Sequence, residues 1–96
     1  MNTHDQMFEI VDVVKVEPRG DYRLALAFSD DTEGEVDLAH LIAEGGDMVE
    51  PLRDPTFFAR VFLDDGIPTW PNGFDLDAIA LHMDMKERGL LHRSAA

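Results

Sequence analysis

Histidines and carboxylates are the side chains of this sequence with most chemistry to offer. The four histidines are His4, His40, His82 and His92. No two of them stand four apart on a helix and no His-Glu-x-x-His run occurs, so a metal site would need ligands gathered from distant segments. His40 with Glu44, and His82 with Lys86, share a helical face; both pairs read as surface polar positions. The acidic run Asp30, Asp31, Glu33, Glu35, Asp37 has the composition of a calcium loop, which needs glycine at its sixth position and a bidentate glutamate at its twelfth. With Asp30 or Asp31 placed first, Gly34 falls at the fifth or fourth position, so the frame fails and a solvated hairpin is the better reading. Asp64 with Asp65, and Asp75 with Asp77, suit general acid–base work only if one member is desolvated. Asp65 fits a turn residue and Asp75 a helix cap instead. Ser29 and Ser94 are the only serines, and neither lies in a Gly-x-Ser-x-Gly turn. Glycines 45, 46, 66 and 73 make no phosphate loop. No catalytic, cofactor-binding or metal-binding residue is assigned, and no cofactor is expected.

The elements that position these residues follow from periodicity. Residues 8–16 read as a strand, because Ile10, Val11, Val13, Val14 and Val16 are β-branched without helical spacing. Pro18-Arg19-Gly20-Asp21 reads as a turn. Residues 22–28 alternate, with Tyr22, Leu24, Leu26 and Phe28 on one face, as in a half-buried antiparallel strand. After a turn at Ser29-Asp30-Asp31, residues 32–36 form a short third strand whose charges point to an edge. Asp37 begins a short helix carrying Leu38, Leu41 and Ile42, which Gly45-Gly46 stops. Asp54-Pro55 starts another short helix. Asp65-Gly66 is a hairpin turn that pairs residues 67–70 with 61–64, with Pro68 restricted to an edge. Asp75 caps a last helix with a Leu76, Ile79, Ala80, Met83 stripe, ended by Gly89, after which Leu90 and Leu91 fold back. The expectation is an α+β fold: a small antiparallel sheet (a three-stranded meander plus a hairpin) with two to three helices, in the order β-β-β-α-α-β-β-α. It forms one domain over residues 1–96, its core at about 8–88 and both ends frayed.

Two aromatic positions bear on recognition. Trp70, flanked by Pro68 and Pro71, is either an exposed anchor for a partner or a core plug covering the sheet edge; the plug is preferred. Phe57 and Phe58 are adjacent, so a helix cannot aim both at one core site, and one of them is a candidate for an exposed apolar patch. Trp70, Phe57, Asp30, Asp31 and Glu33 are therefore the candidate interaction residues.

Composition narrows the partners. Twenty acidic residues against eight basic give a net charge of −12. Such a surface repels nucleic acid and anionic membranes, since binding to both rests on Lys and Arg. It attracts a basic protein and speeds the encounter. The absence of cysteine excludes a disulfide scaffold and a thiolate site and fits a reducing cytoplasm. No run approaches a membrane span, and the opening residues carry no signal-peptide pattern.

The order of these blocks resembles a known family. The valine-rich strand is followed by Tyr22-Arg23-Leu24-Ala25-Leu26-Ala27-Phe28-Ser29-Asp30 and then Gly34-Glu35-Val36-Asp37-Leu38. Pro51-Leu52-Arg53-Asp54 with Phe58 comes next, then Trp70-Pro71-Asn72-Gly73-Phe74-Asp75-Leu76, the most specific element. Over residues 8–81 this resembles the small bacterial family called domain of unknown function 2442. Asp31 departs from it, standing where the family often has the glycine of an Asp-Gly turn. The resemblance implies a small α+β fold with no established activity and no catalytic residues. Some members are joined to a helix-turn-helix domain; here the last helix lies near the end of the sequence, and no DNA-binding part is expected. Others lie beside a small toxin-like gene, which implies an antitoxin-like role. The expected function is a non-enzymatic, cytoplasmic protein-binding or regulatory module whose acidic surface meets a basic partner. The alternative is a small-molecule or metal-sensing domain without its own DNA-binding part, with His40 or His82 near a pocket. A homodimer through a free edge at residues 32–36 or 67–70 is also expected to be accessible.

Overall fold

The computed structural model describes residues 10–94. The expected strand start at Phe8, His4, and residues 1–7, 95 and 96 of the expected frayed ends lie outside the described residues. Arg93 and Ser94, expected to fray, are instead held to the sheet, Arg93 by pairing with Thr32 and Ser94 N–H by the Asp31 carbonyl at 2.8 Å. The fold is α+β in the expected order. Strands β1 (Val13–Arg19), β2 (Arg23–Phe28) and β3 (Thr32–Asp37) form an antiparallel meander. Helix α1 (Ala39–Glu44), a 3-10 turn (Glu50–Arg53) and helix α2 (Pro55–Phe58) follow. The hairpin of β4 (Phe62–Asp64) and β5 (Ile67–Thr69) leads to helix α3 (Ala78–Glu87) and to a two-residue strand β6 (His92–Arg93). The main sheet has the order β1-β2-β3-β6, and β4-β5 is a separate two-stranded sheet.

Strand β1 begins and ends later than its pattern implies. Its pairing with β2 shifts between Val13 and Lys15, which places a bulge at Val14. Val13 is buried while Val14 is 58% exposed. The extra residue of a bulge breaks the two-residue period, which is why this segment does not alternate. Pro18 and Arg19 belong to the strand rather than to a turn. β1 lies at the sheet edge, where a proline without an N–H leaves no ladder bond unmade.

The inner face of the sheet is the core. Leu24, Leu26 and Phe28 of β2 join Val13, Val36, Leu38, Ile42, Leu52, Phe58, Trp70, Leu81 and Met85 in one apolar cluster. Trp70 is 0% exposed and takes the core reading. Its Nε1–H donates to the Phe58 carbonyl at 2.9 Å, and its ring lies 5.7 Å from those of Phe58 and Phe74. An indole enclosed this way presents no surface to a partner.

Helix α3 differs most from its sequence pattern. Its cap is Asp77, whose Oδ1 accepts from the Ile79 and Ala80 N–H groups. Asp75 instead forms an isolated antiparallel bridge with Thr69. The Trp70–Phe74 loop closes on itself through Trp70 N–H to Phe74 O at 2.8 Å, and Leu76 N–H reaches Pro68 O at 3.0 Å. Those bonds keep residues 74–76 out of the helix and delay its start. Its buried face is consequently Ala78, Leu81, His82 and Met85, with Met83 43% exposed. Gly89 (φ +71) ends the helix, and the Leu90 N–H returns to the Met85 carbonyl at 2.8 Å. This C-terminal closure turns the chain back so that β6 pairs with β3 through Thr32–Arg93 and Glu33–His92. The β3 edge proposed for self-pairing is thus occupied over its first two residues.

Candidate functional site

The outer face of the sheet is the part of the fold on which charged side chains converge. Antiparallel register places Lys15, Ala27, Glu33 and His92 in one row, Glu17, Ala25 and Glu35 in the next, and Arg19, Arg23 and Asp37 in the third. Residues two apart share a face, so the alternation that sends Val16, Leu26 and Val36 inward sends these outward. A column of carboxylates thus runs along β3, and Lys15 and Arg19 line β1. Between them Ala25 and Ala27, whose side chains end at Cβ, floor a trough of about 300 Å3.

Ion pairs cross this face. Glu17 lies 2.8 Å from Arg19 and 3.4 Å from Lys15. Hydrogen bonding by Arg19, then by Lys15, holds the Glu17 carboxyl below the usual carboxylate range. Glu35 lies 3.7 Å from Arg19 and 3.5 Å from Arg23, and Glu33 lies 3.4 Å from His92. Ser94 Oγ donates to the second Glu33 oxygen at 3.2 Å. These groups are exposed or half-buried, so their mutual attraction is weak and readily exchanged for other partners.

A second polar group sits on the other side of the β2–β3 turn. His82 is 4% exposed and donates from Nε2 to Asp30 Oδ2 at 2.8 Å. The other Asp30 oxygen accepts from the Thr32 hydroxyl at 2.6 Å and from the Thr32 N–H at 3.2 Å. The His82 ring stands edge-on to Phe28 at 5.0 Å. Burial raises the Asp30 pKa, but the bonds from Thr32 and His82 outweigh it and hold the carboxyl below its ordinary value. The expected surface position of His82 is therefore corrected, since a carboxylate on the turn lets the ring enter the core interface satisfied. The arrangement ties α3 to the sheet.

The acidic run divides accordingly. Asp30 turns toward α3. Asp31 is exposed in the left-handed region at φ +68, the conformation for which a turn glycine is suited. Glu33 and Glu35 reach the outer face, and Asp37 Oδ1 accepts from the Ala39 N–H at the start of α1. Phe57 is half-buried, with the Arg60 guanidinium 5.8 Å from its ring centre. His40 is exposed beside Glu44 at 3.1 Å, as expected. Lys15, Arg19 and His92 were not expected at the site. The i, i+2 spacing of Lys15, Glu17 and Arg19 was a signal for the first two; the β6 pairing that brings His92 in left none.

Among the described residues no group of three or more His, Cys, Asp or Glu is placed to hold a metal ion, and no helix is long and apolar enough to cross a membrane. Ser29 Oγ accepts from the Asp12 N–H at 3.0 Å, a bond that ties the chain before β1 to the β2–β3 turn. No curated protein and no solved structure matches the chain. The family model for a protein of unknown function (DUF2442) matches residues 13–87, which include the whole meander, Trp70 and α3, and the chain belongs to that family.

Proposed function

We propose that the chain is a non-enzymatic binding module that engages a basic protein partner through the carboxylates of its open sheet face. The observation that carries this reading is the column Glu33, Glu35, Asp37 beside an alanine-floored trough. The net charge of −12 supports it, because a field of one sign steers an oppositely charged protein into contact. So does the placement of the carboxylates: none of those described is buried. Asp30 and Glu17 are both held toward the ionised form, the state that recognises cations rather than the one that donates protons. The cysteine-free composition supports assigning the module to the cytoplasm. A partner restrained by such a contact is the antitoxin-like form of this function.

The test is co-purification with the tagged chain at native abundance, alongside the double variant Glu33→Lys/Glu35→Lys. The expected result is one stoichiometric basic protein with the wild type and at least about tenfold weaker capture by the variant, since like charges now face the partner. Purification of the wild type alone, or undiminished capture by the variant, contradicts the reading.

A further inference from the structure

A second recess lies around the β1–β2 turn from the sheet face. Pro18, Asp21, Tyr22, Pro55, Phe58 and Ala59 line a cleft of about 390 Å3. The two proline rings, the half-buried Tyr22 ring and the Ala59 methyl form its open walls, with Phe58 buried behind them, a lining that accepts an apolar side chain.

The Tyr22 wall is fixed before anything binds. Asp21 and Tyr22 have φ +61 and +62, two successive residues with a Cβ in the left-handed region. That conformation is unfavourable and persists only where the surroundings impose it. Here the Tyr22 hydroxyl donates to the Arg53 carbonyl, the ring meets Phe58 edge-on at 5.4 Å, and the Tyr22 carbonyl accepts from Leu38 N–H at 2.8 Å. A wall held by the 3-10 turn, α2 and the start of α1 needs little ordering when a ligand arrives.

Charge selects among apolar ligands. Asp21, on the rim, is exposed and forms no ion pair among the described residues. Arg19 lines both this cleft and the trough, and Glu17 and Glu35 neutralise it from 2.8 and 3.7 Å. A segment seated in the cleft therefore meets a free carboxylate at the rim and continues past Arg19 onto the carboxylate column.

We propose that this cleft is the anchor pocket for a proline or aliphatic side chain, flanked by lysine or arginine, in an extended segment of a protein partner. This rests on the reading of the open face as an acidic docking surface and adds the partner's apolar anchor. The test is a titration of the 15N-labelled full chain with two synthetic peptides, one carrying Pro-Leu-Pro between lysines and a control carrying Gly-Ser-Gly there. The expected result is saturable shifts at the Gly20, Asp21 and Ala59 amides with the first peptide, at least about tenfold tighter than the control, as burial of one aliphatic side chain provides. Ala59→Trp, which fills the cleft from an exposed position, removes that preference, and Asp21→Asn weakens both the binding and its salt dependence. Equal affinities with shifts confined to the Glu33 and Glu35 amides overturn the anchor pocket and leave the acidic face standing; no shifts with either peptide overturn both.

Discussion

Asp30 and His82 show how a residue's role depends on a neighbour far away in sequence. As one carboxylate in an acidic run and one histidine on a polar-looking helix, neither announces the other. The pair forms because the meander and α3 place residues 52 positions apart within 2.8 Å. Asp30→Asn keeps an acceptor for Thr32 but removes the charge facing His82. The expected loss is about 1.5–3 kcal/mol at neutral pH, as for a hydrogen bond to an ionised group, measured by urea denaturation. Because the folded Asp30 pKa is lowered, its stabilisation is complete above the ordinary carboxylate pKa and is lost as pH falls through the folded value. The wild type and Asp30→Asn should therefore converge in stability below about pH 4. A difference that stays constant down to pH 2 contradicts the linkage. Trp70 was easier to read, because a tryptophan between two prolines at a strand end suits a plug; its burial and its bond to Phe58 O bear that out.

Among the elements, sequence order was legible throughout, while phase was legible in β2 but not in β1 or α3. The β2 alternation, the Asp54-Pro55 start and the Asp65-Gly66 turn appear where local chemistry puts them. The misread features all depend on tertiary bonds: the β1 bulge, the delayed start of α3 and the β6 pairing. Asp75 is the cap its position suggests, but the Thr69–Asp75 bridge holds it outside the helix and Asp77 caps instead. Asp77→Ala should accordingly cost about 1 kcal/mol, and Asp75→Ala less than about half that; thermal melts of the two variants decide which residue caps. Gly34 tests the β6 side. A Cβ there would overlap the Leu90 carbonyl oxygen, a backbone atom that cannot rotate away. Gly34→Ala should destabilise the chain by about 2 kcal/mol or more, in the range of overpacked cores, and should release the β6 amides to hydrogen exchange. Unchanged exchange at His92 and Arg93 would show that Leu90 does not hold β6 in place.

For the whole molecule, the division of labour is between a sheet face closed by helices and a face left open. Lys15, Arg19 and Arg23, three of the eight basic residues, stand on the open face and compensate part of its acidity locally. What remains is a carboxylate column whose exposed pairs are weak enough for a partner's cations to displace. Recognition of a basic protein by this face, as proposed, is decided by the salt dependence of partner affinity. Wild-type affinity should fall steeply as ionic strength rises past the screening range, and Glu33→Lys/Glu35→Lys should bind more weakly with a flatter slope. Affinity that is indifferent to salt, or a slope the double variant leaves unchanged, contradicts it.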